Sequence, residues 1–328
     1  MIFIFKKIII PLILIFLSAY FVSAQFTPTP LTLSATPQSP SPGEVVTIEA
    51  NTPTLDKDRL FFEWTVDGKN QSGLSGLGKN SIKVTAGSVG SSIRINVSIS
   101  GADREIKPEI LVVNVSDLSL TWFAETYIPR WYKGKALPTP GSIVRVVAVP
   151  KIIIGGNTLR PENLIYRWSL DDEENILSGI GEQVFRFKMS DFSKTTHQIE
   201  IVVEDSERII HKQGRILLTA TTPEVKIYSS SPLGGVEFRS SPFFTFTNSR
   251  GLLDFIAEPF FFAASSKKQL QFNWQIANRE VQGTPNNPYL LTIDTTGQAA
   301  STIPVSVTVD DSNDIIPSAS SGLNLVIQ

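Results

Sequence analysis

The chain has no cysteine at all, and only two histidines, among 328 residues. The first absence rules out disulfide staples, thiol nucleophiles, cysteine–zinc sites and thiol redox centres. Each folded unit must therefore bury enough apolar surface unaided. A basic excess is missing too: 29 Lys+Arg against 31 Asp+Glu leave a net charge of −2. That balance argues against nucleic acid as a partner. Long stretches with a 3.6-residue apolar period are absent, so helical architecture is not expected. No Gly-x-Ser-x-Gly elbow, His-Glu-x-x-His stretch or phosphate-cradling glycine loop occurs.

What is present begins with Met1-Ile2-Phe3-Ile4-Phe5-Lys6-Lys7, an apolar run from Ile8 to Leu17, and Val22-Ser23-Ala24. A positive start, an apolar middle and a small-residue end describe a secretory signal peptide over residues 1–24, cleaved after Ala24. The rival reading is an uncleaved anchor, short for a hydrocarbon core of roughly 30 Å. Either reading takes the rest of the chain out of the cytoplasm, to the periplasm, the cell surface or the medium. Membrane contact is expected only through this segment, and only if it stays attached. The lack of cysteine in an exported chain suggests a bacterial origin.

Beyond residue 24 one pattern recurs. Phe62-Glu63-Trp64-Thr65-Val66, Tyr166-Arg167-Trp168-Ser169-Leu170 and Phe272-Asn273-Trp274-Gln275-Ile276 each alternate inward and outward side chains. Trp64, Trp168 and Trp274 stand 104 and 106 residues apart, near the ~100 residues of one β-sandwich. A second alternating strand begins 29, 31 and 29 residues after each Trp, at Ile93, Ile199 and Ile303. A closing apolar strand follows at Leu111–Val115, Ile216–Ala220 and Leu323–Ile327, and one precedes each Trp at Val45–Ala50, Ile143–Val149 and Leu252–Ala257. Turn signals such as Pro40-Ser41-Pro42-Gly43 and Gly155-Gly156-Asn157 separate them. Repetition at a fixed period is strong evidence for repeated modules. The expectation is an all-β chain of three antiparallel β-sandwiches at 25–116, 117–222 and 223–328, with the three indoles as core plugs. Pro304 falls inside the third long strand, where its missing N–H requires an unpaired position near the strand entry.

Phe62-Glu63-Trp64-Thr65-Val66-Asp67-Gly68 resembles the PKD-like branch of immunoglobulin-like domains, in which an aromatic-x-Trp strand leads into an Asp/Gly turn. The other two copies repeat the first half of that motif. The resemblance spans nearly all of residues 25–328. It implies stacked Ig-like modules of a cell-surface protein serving adhesion, binding or spacing.

Two insertions precede the second strand of copies two and three, and each is expected to form a hairpin. The first holds Trp122, Arg130, Trp131 and Tyr132, residue types favoured at binding hot spots and, for the rings, suited to sugar stacking. These four are the candidate ligand-binding residues. The competing expectation, which we favour, is that the inserts pack between neighbouring modules. Phe260-Phe261-Phe262 cannot all face one core from one strand, so one of them is expected exposed at an interface. Asp310, Asp311 and Asp314 form a candidate calcium site, weighed against a solvated turn. His197 and His211 flank one region of copy two, which leaves them free to approach each other. No catalytic residue and no cofactor is expected. The function read from sequence is a non-catalytic exported module array. Its partners would be proteins or polysaccharides at the cell surface. Alternatives are a carbohydrate-binding protein using the aromatic insert and an accessory factor of pilus or surface-structure assembly.

Overall fold

A computed structural model describes residues 31–328 except 54, 102–105, 172, 232, 248–250 and 312–317. The segment read as an export signal lies outside the described residues. Strands dominate, and the described helical elements are three short 3-10 turns.

The first stretch contains β1 (Thr32–Thr36), β2 (Val45–Asn51), β3 (Phe61–Val66), β4 (Lys69–Asn70), β5 (Gly76–Leu77), β6 (Ser81–Thr85), β7 (Ser92–Ser100) and β8 (Glu109–Asn114). They form one sheet of order β1-β2-β6 and another of order β4-β3-β7-β8, with β5 also on β3. The second contains β9 (Asp117–Ala124), β10 (Ile143–Lys151), β11 (Ile153–Ile154), β12 (Asn157–Thr158), β13 (Ile165–Leu170), β14 (Glu173–Ile180), β15 (Val184–Lys188), β16 (Thr196–Glu204) and β17 (His211–Thr219). Its sheets run β15-β10-β9 and β14-β13-β16-β17, beside a β11-β12 ribbon. The third contains β18 (Glu224–Ser231), β19 (Gly235–Val236), β20 (Phe244–Thr247), β21 (Leu252–Phe260), β22 (Leu270–Ile276), β23 (Arg279–Val281), β24 (Leu290–Asp294), β25 (Ser301–Asp311) and β26 (Ala319–Ile327). Its sheets run β19-β18-β21-β24 and β20-β26-β25-β22-β23.

Buried apolar residues gather into three clusters, each drawn from both sheets of one stretch. Trp64, Trp168 and Trp274 are all 0% exposed. Their surroundings repeat in detail. A 3-10 turn (Lys57–Arg59, Pro161–Asn163, Lys267–Gln269) leads into each Trp strand. A buried leucine, Leu60, Leu164 or Leu270, closes that turn with its own N–H. Each indole then donates to a backbone carbonyl, that of Lys79 (2.8 Å), Glu182 (2.7 Å) or Pro288 (2.9 Å). An indole N–H buried without an acceptor is costly, so these bonds make an interior Trp tolerable. In register, the three rings sit opposite Val97, Ile201 and Val307.

The residue three beyond each Trp explains a sequence difference among the copies. Asp67 donates its N–H to Arg94 O, and its carboxylate accepts the Arg94 N–H at 2.8 Å. Asp171 does the same with Gln198, at 2.9 Å. In the third copy Ala277 donates to Pro304 O. Proline has no N–H to satisfy, so a carboxylate there would have nothing to accept. The pairing of β22 with β25 begins at Val305, one residue later. Pro304 therefore faces its missing donor toward a turn, and no ladder bond is lost. Asp67→Ala is expected to lower stability by about 1 kcal/mol, the worth of one exposed charge-assisted bond. Ala277→Asp should add nothing; urea unfolding of both variants checks this.

The inserts differ from the expected hairpins. Residues 125–142 form no strand; their backbone pairs with the third stretch at one isolated bridge, Tyr127 to Phe262. The second insert folds β19 back on β18, then crosses to the other sheet, where β20 pairs with β26 in parallel. Every other described strand pair is antiparallel.

Candidate functional site: two junctions along the chain

The aromatic insert after β9 lies against the third core. Tyr127 exchanges two backbone hydrogen bonds with Phe261 and Phe262, each 2.7 Å. Thr139 Oγ1 donates to Phe261 O at 2.8 Å, and the Tyr127 hydroxyl donates to Glu258 Oε1 at 2.8 Å. Lys267 Nζ pairs with the other Glu258 oxygen at 3.0 Å and stands 3.9 Å over the Tyr289 ring. Burial, reinforced by the hydrogen bond to Glu258, pushes the Tyr127 phenol well above its usual range.

Trp131 stacks on Phe238 with centroids 4.4 Å apart and meets Tyr228 and Phe260 edge-on at 5.8 Å each. Tyr132 meets Phe260 and Phe261 edge-on at 5.6 and 5.8 Å. The three consecutive phenylalanines are all buried; none is exposed, and the surface on which one was expected to lie open is covered by the insert. The strand ends at Phe260, Phe261 turns out at φ +64°, and the insert covers it. A non-glycine residue at positive φ is strained, and dense contacts hold it there.

The four candidate ligand residues thus do not form one platform. Trp131 and Tyr132 face the third core. Trp122 leans on the second core, with Lys135 Nζ 3.4 Å from its ring centroid. Arg130 is exposed.

The other junction is polar. Lys212 is only 6% exposed, and its ammonium donates to Ser39 O (2.9 Å) and Ser41 Oγ (2.7 Å) across 173 and 171 residues of chain. The His211 N–H donates to Ser39 Oγ at 3.0 Å. Burial lowers the Lys212 pKa. Beside it, Glu204 accepts from Arg167 at 2.5 Å and from His211 Nδ1 at 2.7 Å. Burial alone would raise the Glu204 carboxyl, but these two donors outweigh it and hold the group below its usual range. A cleft of about 660 Å³ opens here, lined by Pro37, Ser39, Ser41, Glu44, His211 and Lys212.

The two histidines do not approach each other. His197 pairs with Leu218 at one end of the β16–β17 ladder and His211 with Glu204 at the other. Seven residues at ~3.4 Å each separate them by about 24 Å. His197 Nδ1 lies 2.8 Å from Asp171 Oδ2, and its Nε2 accepts the Ser190 backbone N–H at 3.1 Å. That nitrogen is occupied by an amide rather than by the Ser190 hydroxyl, so the Asp–His pair clamps a loop and activates no nucleophile. Among the acidic candidates, Asp310 accepts from Asn273 Nδ2 at 3.0 Å. Asp311 is 6% exposed, with Oδ2 unpartnered. Asp314 lies outside the described residues. Among the described residues no three His, Asp or Glu side chains gather as metal ligands. No described helix is long and apolar enough to cross a membrane.

Paired β-sheets closed over an interior tryptophan, repeated along the chain, define a tandem immunoglobulin-like β-sandwich protein. No protein family and no curated protein matches the sequence. Solved structures with a similar arrangement include the three N-terminal domains of the bacteriophage RB49 Highly Immunogenic Outer Capsid protein. That match has 11% identity, covers 91% of this chain and 97% of that one, and has a TM-score of 0.26. The central fibronectin-III array of RIM-binding protein matches at 11% identity over 91% and 95% of the two chains, TM-score 0.32. The fibronectin(III)-like modules of Clostridium thermocellum CbhA match at 11% over 58% and 94%, TM-score 0.27.

Proposed function

We propose that this chain is a non-catalytic exported protein of three Ig-like modules, at residues 25–116, 117–222 and 223–328. It works outside the cytoplasm as a binding and spacing element. The observation that carries the reading is the fate of the aromatic insert. Trp131 and Tyr132 are spent on Tyr228, Phe238, Phe260 and Phe261. Side chains used this way fix one module against the next rather than holding a ligand. The Lys212–Ser39 contacts tie the first module to the second in the same manner. Stiff coupling between modules suits a protein that holds a binding surface at a set distance.

Tyr127 supplies a test. Its folded pKa is raised above the ordinary 10.0. The neutral phenol therefore stabilises the junction fully below pH 10, and that contribution falls as pH rises above it. Ionisation would set a phenolate against the Glu258 carboxylate. Small-angle scattering is expected to show one extended shape at pH 7 that becomes more flexible above pH 10. Tyr127→Phe should lack that transition. A chain already flexible at pH 7 would contradict stiff coupling.

A further inference from the structure

Phe244 and Phe246 are two positions apart on β20, so both rings rise from one face of its sheet. They are 50% and 63% exposed, 6.3 Å apart between centroids and 24° from parallel. Exposed rings this close usually find a partner, and these have none in the described chain beyond each other and Phe243. The rest of the face is unusual in its chemistry. In register, Phe244 lies beside Asn324 and Phe246 beside Val326; Thr302 and Ser306 follow on β25, then Asn273 and Gln275 on β22. Hydroxyls and amides dominate it; its charged side chains are two carboxylates, Asp310 on β25 and Glu280 beside Gln275 on β23, and no cation stands among them. The equivalent faces of the other modules carry Glu63 and Arg94 beside exposed Ile110 and Val112, and Arg167, Glu200 and Arg215 beside exposed Leu217.

The strip also lies at an open edge. Phe243 O and Thr247 O bond to Asn324 and Gln328, so alternate residues point their amides toward β26. Phe244 and Phe246 therefore turn their own N–H and C=O groups outward, where no strand follows among the described residues. Near-parallel rings, outward backbone donors and acceptors, and a field of amides and hydroxyls without a cation fit one kind of partner. A sugar ring offers an apolar C–H face to an aromatic and a rim of hydroxyls to amides, and a neutral glycan asks for no counter-charge. Protein-docking cores add Arg, Met, Tyr and Trp to their phenylalanines, and none of these stands on this face between β20 and β22.

We propose that this sheet face of the third module binds a neutral polysaccharide, with Phe244 and Phe246 stacking on neighbouring sugars of one chain. The inference deepens the proposed binding role and rests on it. The test is native electrophoresis of the whole chain through gels containing hydroxyethylcellulose, xyloglucan or galactomannan, with polygalacturonate as an anionic comparator. Retardation is expected in at least one neutral gel, weakened at least tenfold in Phe244→Ala/Phe246→Ala. Both side chains are exposed, so that variant should keep the wild-type melting temperature. Trp131→Ala should retain the binding while loosening the junction. Three outcomes overturn the proposal: no retardation in any neutral gel, equal retardation of the double variant, or a dimer that the double variant converts to monomer. The last would assign the strip to a second copy. Glycan binding by a chain that scatters as flexible at pH 7 would instead sink the stiff-spacer reading and leave this one standing.

Discussion

Replacing Trp64, Trp168 or Trp274 with Ala is expected to cost about 3–5 kcal/mol each, the range for deleting a large buried aromatic. Each ring is 0% exposed and fills the space between two sheets. Deletion also breaks the indole's hydrogen bond to the carbonyl of Lys79, Glu182 or Pro288, a further loss of about 1 kcal/mol. Trp→Phe should cost less, since it keeps most of the packing and loses the hydrogen bond. Because the buried residues fall into three separate clusters, the damage should stay local. Hydrogen exchange on each Ala variant should show lost protection in the strands of its own cluster, with the other two near wild type. Collapse of all three clusters from one substitution would mean that they share a single core.

The second large effect belongs to Trp131. It is partly exposed, yet it stacks on one ring and meets two others edge-on. Aromatic pairs contribute about 0.5–1.5 kcal/mol each beyond area burial. Trp131→Ala is thus expected to weaken the junction by about 2–4 kcal/mol. Calorimetry should then resolve the third cluster as a separate, lower-melting transition, while the first two melt as before. Trp122→Ala, by contrast, should destabilise the second cluster, because Trp122 packs against that core.

The all-β, repeated-sandwich plan is legible because half-buried strands write a period of two, and a large indole at matching places marks an interior. Two regular signals went unread. A leucine stands four residues before each Trp, at Leu60, Leu164 and Leu270, closing the 3-10 turn. The long-strand partner stands 33 residues after each Trp, at Val97, Ile201 and Val307. The junctions were less legible, for a physical reason. Tyr127 meets Glu258 across 131 residues, and local periodicity carries no information about such contacts. Phe260-Phe261-Phe262 broke the alternation rule because the strand ends there, with Phe261 at positive φ. The two histidines flank one region of the sequence, which leaves an approach open, yet the ladder register sends them to opposite ends. In sequence, Phe244 and Phe246 are two phenylalanines among several in the second insert. What they face depends on β20 crossing to β26, a parallel pairing that no turn signal announces.

Indole N–H exchange in protein labelled with ¹⁵N-tryptophan tests the central claim most directly. Five indole signals exist to be assigned, one for each Trp. Those of residues 64, 168 and 274, each closed in a core and donating to a carbonyl, should exchange with solvent deuterium on the timescale of global opening. Rapid exchange at any of these three would place that ring at the surface and contradict the account of repeated sandwiches built around interior tryptophans.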